Sequence, residues 1–464
     1  MRNATLSGVA LLAFCSALLP SLAPAADWPP PLGGANKDGV ATLQGNALLQ
    51  VPINVEEARK KPGAADFVVA KTAPVMDLAL HGDLGPEADK RRLWSCWGDI
   101  CLASDGRVYC GIGDHGDDAG GDARCFIYCW DPKAKTLKQV VDLNSLVPTT
   151  KPHSRWSKIH AKIDEGPDGK IYFSGTLNDG NRAGNENYHW SEQCPGGQLY
   201  RYDPKTGKSE VFASLPAKRC TATSLVDSKR GLWWCNLEAG RDKDSLFALD
   251  LATGKPVYQG TEGMVGFNRA FALAADGSIY FNGREGMARL DPATGKITTG
   301  IASFGDSPGI RCATAESKAG EIWGVTYKTT ELYRFRPASG ELKLLGPCWL
   351  AGSYTAVCTL SPDERFMYFL PGAHGKAWLD GTPVIQYDLK TGQRKVLAFL
   401  APTSDEATGF VPGGTYGIKI SDDGGTLYVN FNGHPADRLR PEKMKPIGFG
   451  VCGFAAIHIP QSER

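Results

Sequence analysis

Asp168-Gly169-Lys170-Ile171-Tyr172-Phe173, followed after a gap by Leu199-Tyr200-Arg201-Tyr202-Asp203-Pro204-Lys205-Thr206-Gly207, carries the structural signature of the whole chain. Asp-Gly supplies the positive φ of a tight hairpin, and the alternating branched and aromatic residues after it fill a half-buried pleat. The second segment reads as a third strand ending in Tyr-Asp and turning through Thr-Gly into a fourth.

The same unit recurs on both sides. Upstream, Asp105-Gly106-Arg107-Val108-Tyr109 leads to Tyr128-Cys129-Trp130-Asp131-Pro132. Downstream, Gly231-Leu232-Trp233-Trp234 leads to Leu249-Asp250, Asp276-Gly277-Ser278-Ile279-Tyr280-Phe281 to Leu290-Asp291, and Gly320-Glu321-Ile322-Trp323 to Tyr333-Arg334-Phe335. Arg365-Phe366-Met367-Tyr368-Phe369 leads to Tyr387-Asp388, and Gly424-Gly425-Thr426-Leu427-Tyr428-Val429 to Ala455-Ala456-Ile457-His458-Ile459, completing seven copies. A period of roughly 40 to 60 residues is that of propeller repeats, and helical periodicity is nearly absent. One four-stranded unit cannot bury both its faces, so units stack radially and the ring closes to hide its edges. The expected fold is all-β: a seven-bladed β-propeller of four-stranded antiparallel blades, closed by an N-terminal strand. The last copy ends after its third strand, and Phe67-Val68-Val69-Ala70-Lys71 is the candidate for the fourth.

Arg2, the apolar run Val9 to Leu22 and Ala23-Pro24-Ala25 read as a signal peptide over residues 1–25. Residues 26–65, rich in Pro, Gly and Asn, read as an N-terminal arm or linker, and 66–464 as the propeller. No later apolar run approaches the roughly 20 residues of a membrane span. The expectation is a secreted or periplasmic product without membrane insertion. Of 13 cysteines the signal takes Cys15, leaving an even number. In an oxidising compartment that favours disulfides between neighbouring strands, for example Cys220 with Cys235, although spacing leaves the pairing open. Lys and Arg number 51 against 50 Asp and Glu, so no global charge calls for a nucleic-acid partner.

In a propeller the loops entering each innermost strand, and those leaving the second, surround one mouth of the central channel. Counting back from the Asp-Gly turns places Trp97, His160, Arg219, Arg269, Arg311, Tyr354 and Tyr416 there. Guanidinium forks match a carboxylate or sulfate bidentately; the competing reading pairs these arginines with acids such as Asp99 or Glu316. Three loops leaving second strands bring His115, His374 and His434, in blades that are neighbours once the ring closes. With the acidic cluster Asp114, Asp117, Asp118 and Asp122, these histidines are candidate ligands for a divalent cation, Ca, Zn or Mn. Each histidine bonding its own loop is the alternative. Trp94, Trp97, Trp156, Tyr188 and Trp190 would suit stacking on sugar rings, or packing between blades.

Lys158-Ile159-His160-Ala161-Lys162-Ile163-Asp164-Glu165-Gly166-Pro167-Asp168-Gly169-Lys170-Ile171-Tyr172-Phe173 resembles the start of the catalytic blade in secreted propeller polysaccharide lyases of the ulvan-lyase type. The resemblance implies β-elimination on a uronate-containing, anionic and in some cases sulfated polysaccharide, with His160 near the scissile bond. Those lyases carry a second histidine shortly after the Tyr-Phe strand, where this chain has Thr176-Leu177-Asn178 and reaches His189 only later. The chemistry asks for neutralisation of the uronate carboxylate, a base near neutrality and a donor to the leaving oxygen. His160, Tyr188 and Tyr416 are the candidates for proton transfer, Arg219, Arg269 and Arg311 for the clamp, and Trp97, Tyr354 and His189 for further substrate contacts. Two other functions stay open: a non-catalytic carbohydrate- or protein-binding propeller, and a metal-dependent lactonase or related hydrolase. Neither a Gly-x-Ser-x-Gly elbow nor a phosphate loop occurs.

Overall fold

The computed structural model describes residues 28–91, 93–114, 123–146, 156–177, 196–238, 243–374, 376–439 and 449–464. They form seven small sheets, each a blade, antiparallel except for one short edge strand. The turns repeat as their sequences repeat. Gly106, Gly169 and Gly277 take φ of 82°, 73° and 91°, and Asp105, Asp168 and Asp276 accept the backbone N–H two residues on. The third-to-fourth strand turns use the same device, with Asp203, Asp250 and Asp388 accepting from Lys205, Ala252 and Lys390.

The blade of the quoted unit shows the order. Trp156–Ile159 and Asp164–Glu165 lie innermost, followed outward by Ile171–Leu177, Gln198–Asp203 and Lys208–Ser214. Ile171, Phe173 and Tyr200 are fully buried together with Tyr109, Ile127 and Trp156, so one face of this blade packs on the blade before it. Carboxylates tie neighbouring blades at the turn face: Glu165 accepts from Ser104 N–H, Glu316 from Ala275 N–H and Glu364 from Lys318 N–H.

The ring closes through an N-terminal strand, but through a different one from that expected. Val75–Leu80 pairs antiparallel with Val451–His458, from Val75 opposite His458 to Leu80 opposite Gly453, and Val40–Leu43 adds a fifth strand outside it. Val68–Val69 lies instead parallel to Lys395 and Val396, on the outer edge of the sixth blade. Phe67 explains the difference, because its ring is buried against Phe399 of that blade and Trp349 on the connection leading into it, at 6.4 and 4.9 Å. The true closing strand has an acid at its centre. Asp77 is buried and bonded to Lys135 at 2.8 Å, His458 at 3.0 Å and Thr42 at 2.7 Å. Burial by itself would raise its pKa, but these three donors outweigh that and hold the carboxyl below the usual range.

The cysteines also depart from expectation. None of the eleven described is bridged. Cys220 stands opposite Glu238 and Cys235 opposite Ser224, so these two sulfurs do not face each other across a ladder. No helix among the described residues is long and apolar enough to cross a membrane. Residues 1–25 lie outside those described.

The closing seam carries a pH dependence. His81 is 1% exposed, bonded through its backbone N–H to Cys452 O and edge-on to Tyr128. Burial pulls its pKa from 6.5 down to about 4. Below the ordinary histidine value the unfolded chain takes up a proton that the native state refuses. Stability is therefore lost as pH falls from about 6.5 towards 4, by on the order of 3 kcal/mol over the whole window. The urea midpoint should drop between neutrality and mild acid, and His81→Phe should flatten that drop in part, since His160 shifts in the same direction. A wild-type midpoint that does not move would contradict the assignment.

Candidate functional site

The central channel has a volume of about 500 Å³, and its walls are the innermost strands with the loops that enter them. Trp97, His160, Arg269, Arg311 and Tyr416, all placed at the mouth from sequence, line it. Two more sit on its rim: the Tyr354 hydroxyl accepts a hydrogen bond from Arg311 Nε, and the His374 ring lies 4.7 Å from Tyr354 and 5.9 Å from Trp97. Their convergence follows from the repeat: Trp97, His160, Arg269, Arg311, Tyr354 and Tyr416 lie at the innermost strands of six blades, and His374 lies on a loop leaving a second strand at the same mouth.

His160 is half-buried and stacks on Trp97 with ring centroids 5.9 Å apart and planes inclined by 11°. Its Nδ1 donates to Ala222 O at 3.1 Å, which leaves Nε2 as the lone-pair nitrogen. Burial, then the positive charges of Arg269, Lys158 and Arg311, push its pKa well below 6.5. The imidazole is therefore neutral at pH 7.

Arg311 is 3% exposed and doubly held, by Tyr354 and by Ala356 O at 2.9 Å, with its guanidinium carbon 4.8 Å from the Tyr354 ring centre. Arg269 lies 3.3 Å from Glu238, a carboxylate that the repeat pattern does not single out. Burial raises the Glu238 pKa, and Arg269 and Lys158 oppose that rise. Glu238 leaves the second strand of its blade, the position that other blades fill with a histidine; a search there for any titratable side chain finds it. Tyr416 is 2% exposed and its hydroxyl has no hydrogen-bond partner among the described residues, although it lines the channel. Burial pushes its pKa up, so the phenol keeps its proton. Deeper in the channel the charges satisfy one another: Lys419 pairs with Asp99 and Lys162 with Asp164.

Other expected residues lie elsewhere. Arg219 is absent from the channel wall and pairs with Glu262 at 2.5 Å on the surface. That partner draws it aside, as the competing reading of the arginines allowed. Trp94 and Trp156 are buried within blades, Trp94 donating to Ala88 O and Trp156 edge-on to Tyr200, so neither offers a face to a ligand. His434 is 3% exposed, donates from Nδ1 to Pro435 O and meets Trp378 edge-on, whereas His374 is exposed at the rim. These two histidines are not brought together on one ligand. Asp114 is ion-paired with Arg91 and accepts the Arg124 N–H. Among the described residues no three His, Cys, Asp or Glu side chains come together in a way that could hold a metal ion. His115, Tyr188, His189, Trp190, Asp117, Asp118 and Asp122 lie outside the described residues.

The fold resembles that of solved β-propellers of several kinds. A solved oligogalacturonate lyase in complex with manganese superposes with a TM-score of 0.50 at 13% identity, covering 86% of this chain and 96% of that one. A catalytically inactive virginiamycin B lyase from Staphylococcus aureus, solved with quinupristin, gives 0.49 at 11%, covering 83% and 100%. A chain of a mitotic checkpoint complex gives 0.48 at 9%, covering 86% and 99%. At these identities the likeness is one of fold. No family model and no curated protein matches the chain.

Proposed function

We propose that the channel mouth binds an anionic, uronate-containing polysaccharide and cleaves it by β-elimination. One observation carries the reading: a neutral, half-buried histidine sits beside two channel arginines and a buried tyrosine hydroxyl that has no hydrogen-bond partner among the described residues. In this proposal Arg269 and Arg311 bind the uronate carboxylate, so that the negative charge growing on it as the C5 proton leaves is stabilised. His160 Nε2 takes that proton. Tyr416 O–H protonates the glycosidic oxygen as its bond to C4 breaks, leaving an unsaturated sugar at the new non-reducing end.

The electrostatics favour this order. Arg269 and Arg311 help to depress the basicity of His160 while the site is empty. A bound carboxylate offsets their charge and makes the imidazolium easier to form at the moment it is needed. The acid limb of the pH–rate profile should accordingly lie below the ordinary histidine value of 6.5.

The test is to incubate the protein with a panel of uronate-containing and sulfated polysaccharides and follow ultraviolet absorbance of the unsaturated product. Absorbance growth is expected with at least one of them, and binding without it would favour the non-catalytic reading. The arginines separate further. Arg269→Ala and Arg311→Ala should each lower turnover by about 3 kcal/mol equivalent, the value of one oxyanion donor. Arg219→Ala, outside the channel, should leave turnover alone and change stability by no more than about 1 kcal/mol. Equal losses in all three variants would place the carboxylate site elsewhere.

A further inference from the structure

Beyond the reacting centre, the mouth carries an aromatic wall that the reaction does not use. Phe267, in the loop entering the fourth blade, is 50% exposed, and its ring lies 5.3 Å from Tyr327, which leaves the second strand of the fifth blade. Tyr327 lies 5.9 Å from Tyr354, Tyr354 4.7 Å from His374, and His374 5.9 Å from Trp97. Trp97 in turn stacks on His160 and on Phe449. The arc thus runs from blade to blade round the rim, each ring about one sugar unit from the next. Its inner side is cationic: Arg269 lies 4.4 Å from the Phe267 ring centre, Arg311 contacts Tyr354, and Lys158 lies 5.6 Å from the Trp97 ring centre.

The Phe267 backbone holds the loop, its carbonyl accepting from Asn282 Nδ2 at 3.0 Å, whereas its half-exposed ring has no polar atom and faces solvent beside Tyr327. An alternation of flat apolar rings with fixed cations matches a chain of pyranoses, whose C–H faces are apolar and whose carboxylates project from the edges. We infer that the substrate is held as an extended oligosaccharide along this arc, with Phe267 and Tyr327 forming a stacking subsite remote from His160. The inference rests on the proposed uronate specificity and adds to it a preference for chains over single disaccharides.

Calorimetric titration tests it, with oligogalacturonate, oligoalginate and oligoglucuronan each supplied as dimer and hexamer. Wild-type protein should bind at least one hexamer about tenfold more tightly than the matching dimer, the worth of a stacked ring. Phe267→Ala should remove that difference while moving dimer affinity less than twofold, and its melting temperature should match the wild type because the side chain is exposed. Tyr327→Ala should act in the same direction. Length-independent binding by the wild type, equal losses for dimer and hexamer in Phe267→Ala, or no binding of any of the six ligands would each overturn the subsite. Length-dependent binding abolished by Phe267→Ala, in a protein that forms no unsaturated product, would keep the subsite and overturn the elimination chemistry instead.

Discussion

His160→Ala should lower elimination at least a hundredfold while leaving oligouronate affinity within a few-fold of wild type. Proton-transfer groups contribute roughly 10²–10⁴ to rate, and they act in the transition state rather than in binding. The split between turnover and affinity is the informative part. His160 stacks on Trp97 and bonds Ala222 O, so a merely structural role would show itself as weaker binding and a lower melting temperature together. Steady-state kinetics on the alanine variant, with calorimetric affinity alongside, separates the two. Retention of turnover would remove His160 from the reaction, and the base would then have to be sought among Tyr188 and His189.

The second large effect concerns the ring. A chain lacking everything through Lys71 keeps Val75–Leu80 and should still fold, destabilised by the loss of Val40–Leu43 and of the buried side chains Leu48, Val55 and Phe67. A chain lacking everything through Leu80 loses the closing strand itself. It exposes the edge of Val451–His458 and the apolar surface that Met76 and Leu78 cover. Unpaired edges and open cores of this kind cost more than a single domain's usual 5–15 kcal/mol margin can absorb, so this second truncation should show no cooperative melting transition. Differential scanning calorimetry on both makes the comparison. Equal melting temperatures would mean that Val75–Leu80 does not close the ring.

The repeats are legible because each one is local chemistry: an Asp-Gly hairpin turn, an alternating strand and a Thr-Gly turn specify a blade without reference to anything distant. The mouth follows from them by topology, which is why Trp97, His160, Arg269, Arg311, Tyr354 and Tyr416 can be placed together from the repeat alone. What does not show in sequence is non-local. Asp77 makes Val75–Leu80 look like a poor strand until its partners Lys135, His458 and Thr42 arrive from three other segments. Phe67 belongs to a strand-like stretch whose anchor, Trp349, lies far along the chain. Arg219 occupies the right place in its repeat, and a neighbouring loop supplies Glu262 to draw it away. The aromatic arc is hidden for a related reason: Phe267, Tyr327 and Tyr354 are scattered singly in sequence and become a surface only when three blades stand side by side.

The most direct measurement of the central claim is the mass of the products formed from a defined oligouronate. Elimination breaks the C4–O bond without consuming water, so the two fragments must together have the mass of the substrate, one of them bearing the double bond. Fragments that together weigh one water more would show hydrolysis and contradict the roles assigned to His160, Arg269, Arg311 and Tyr416.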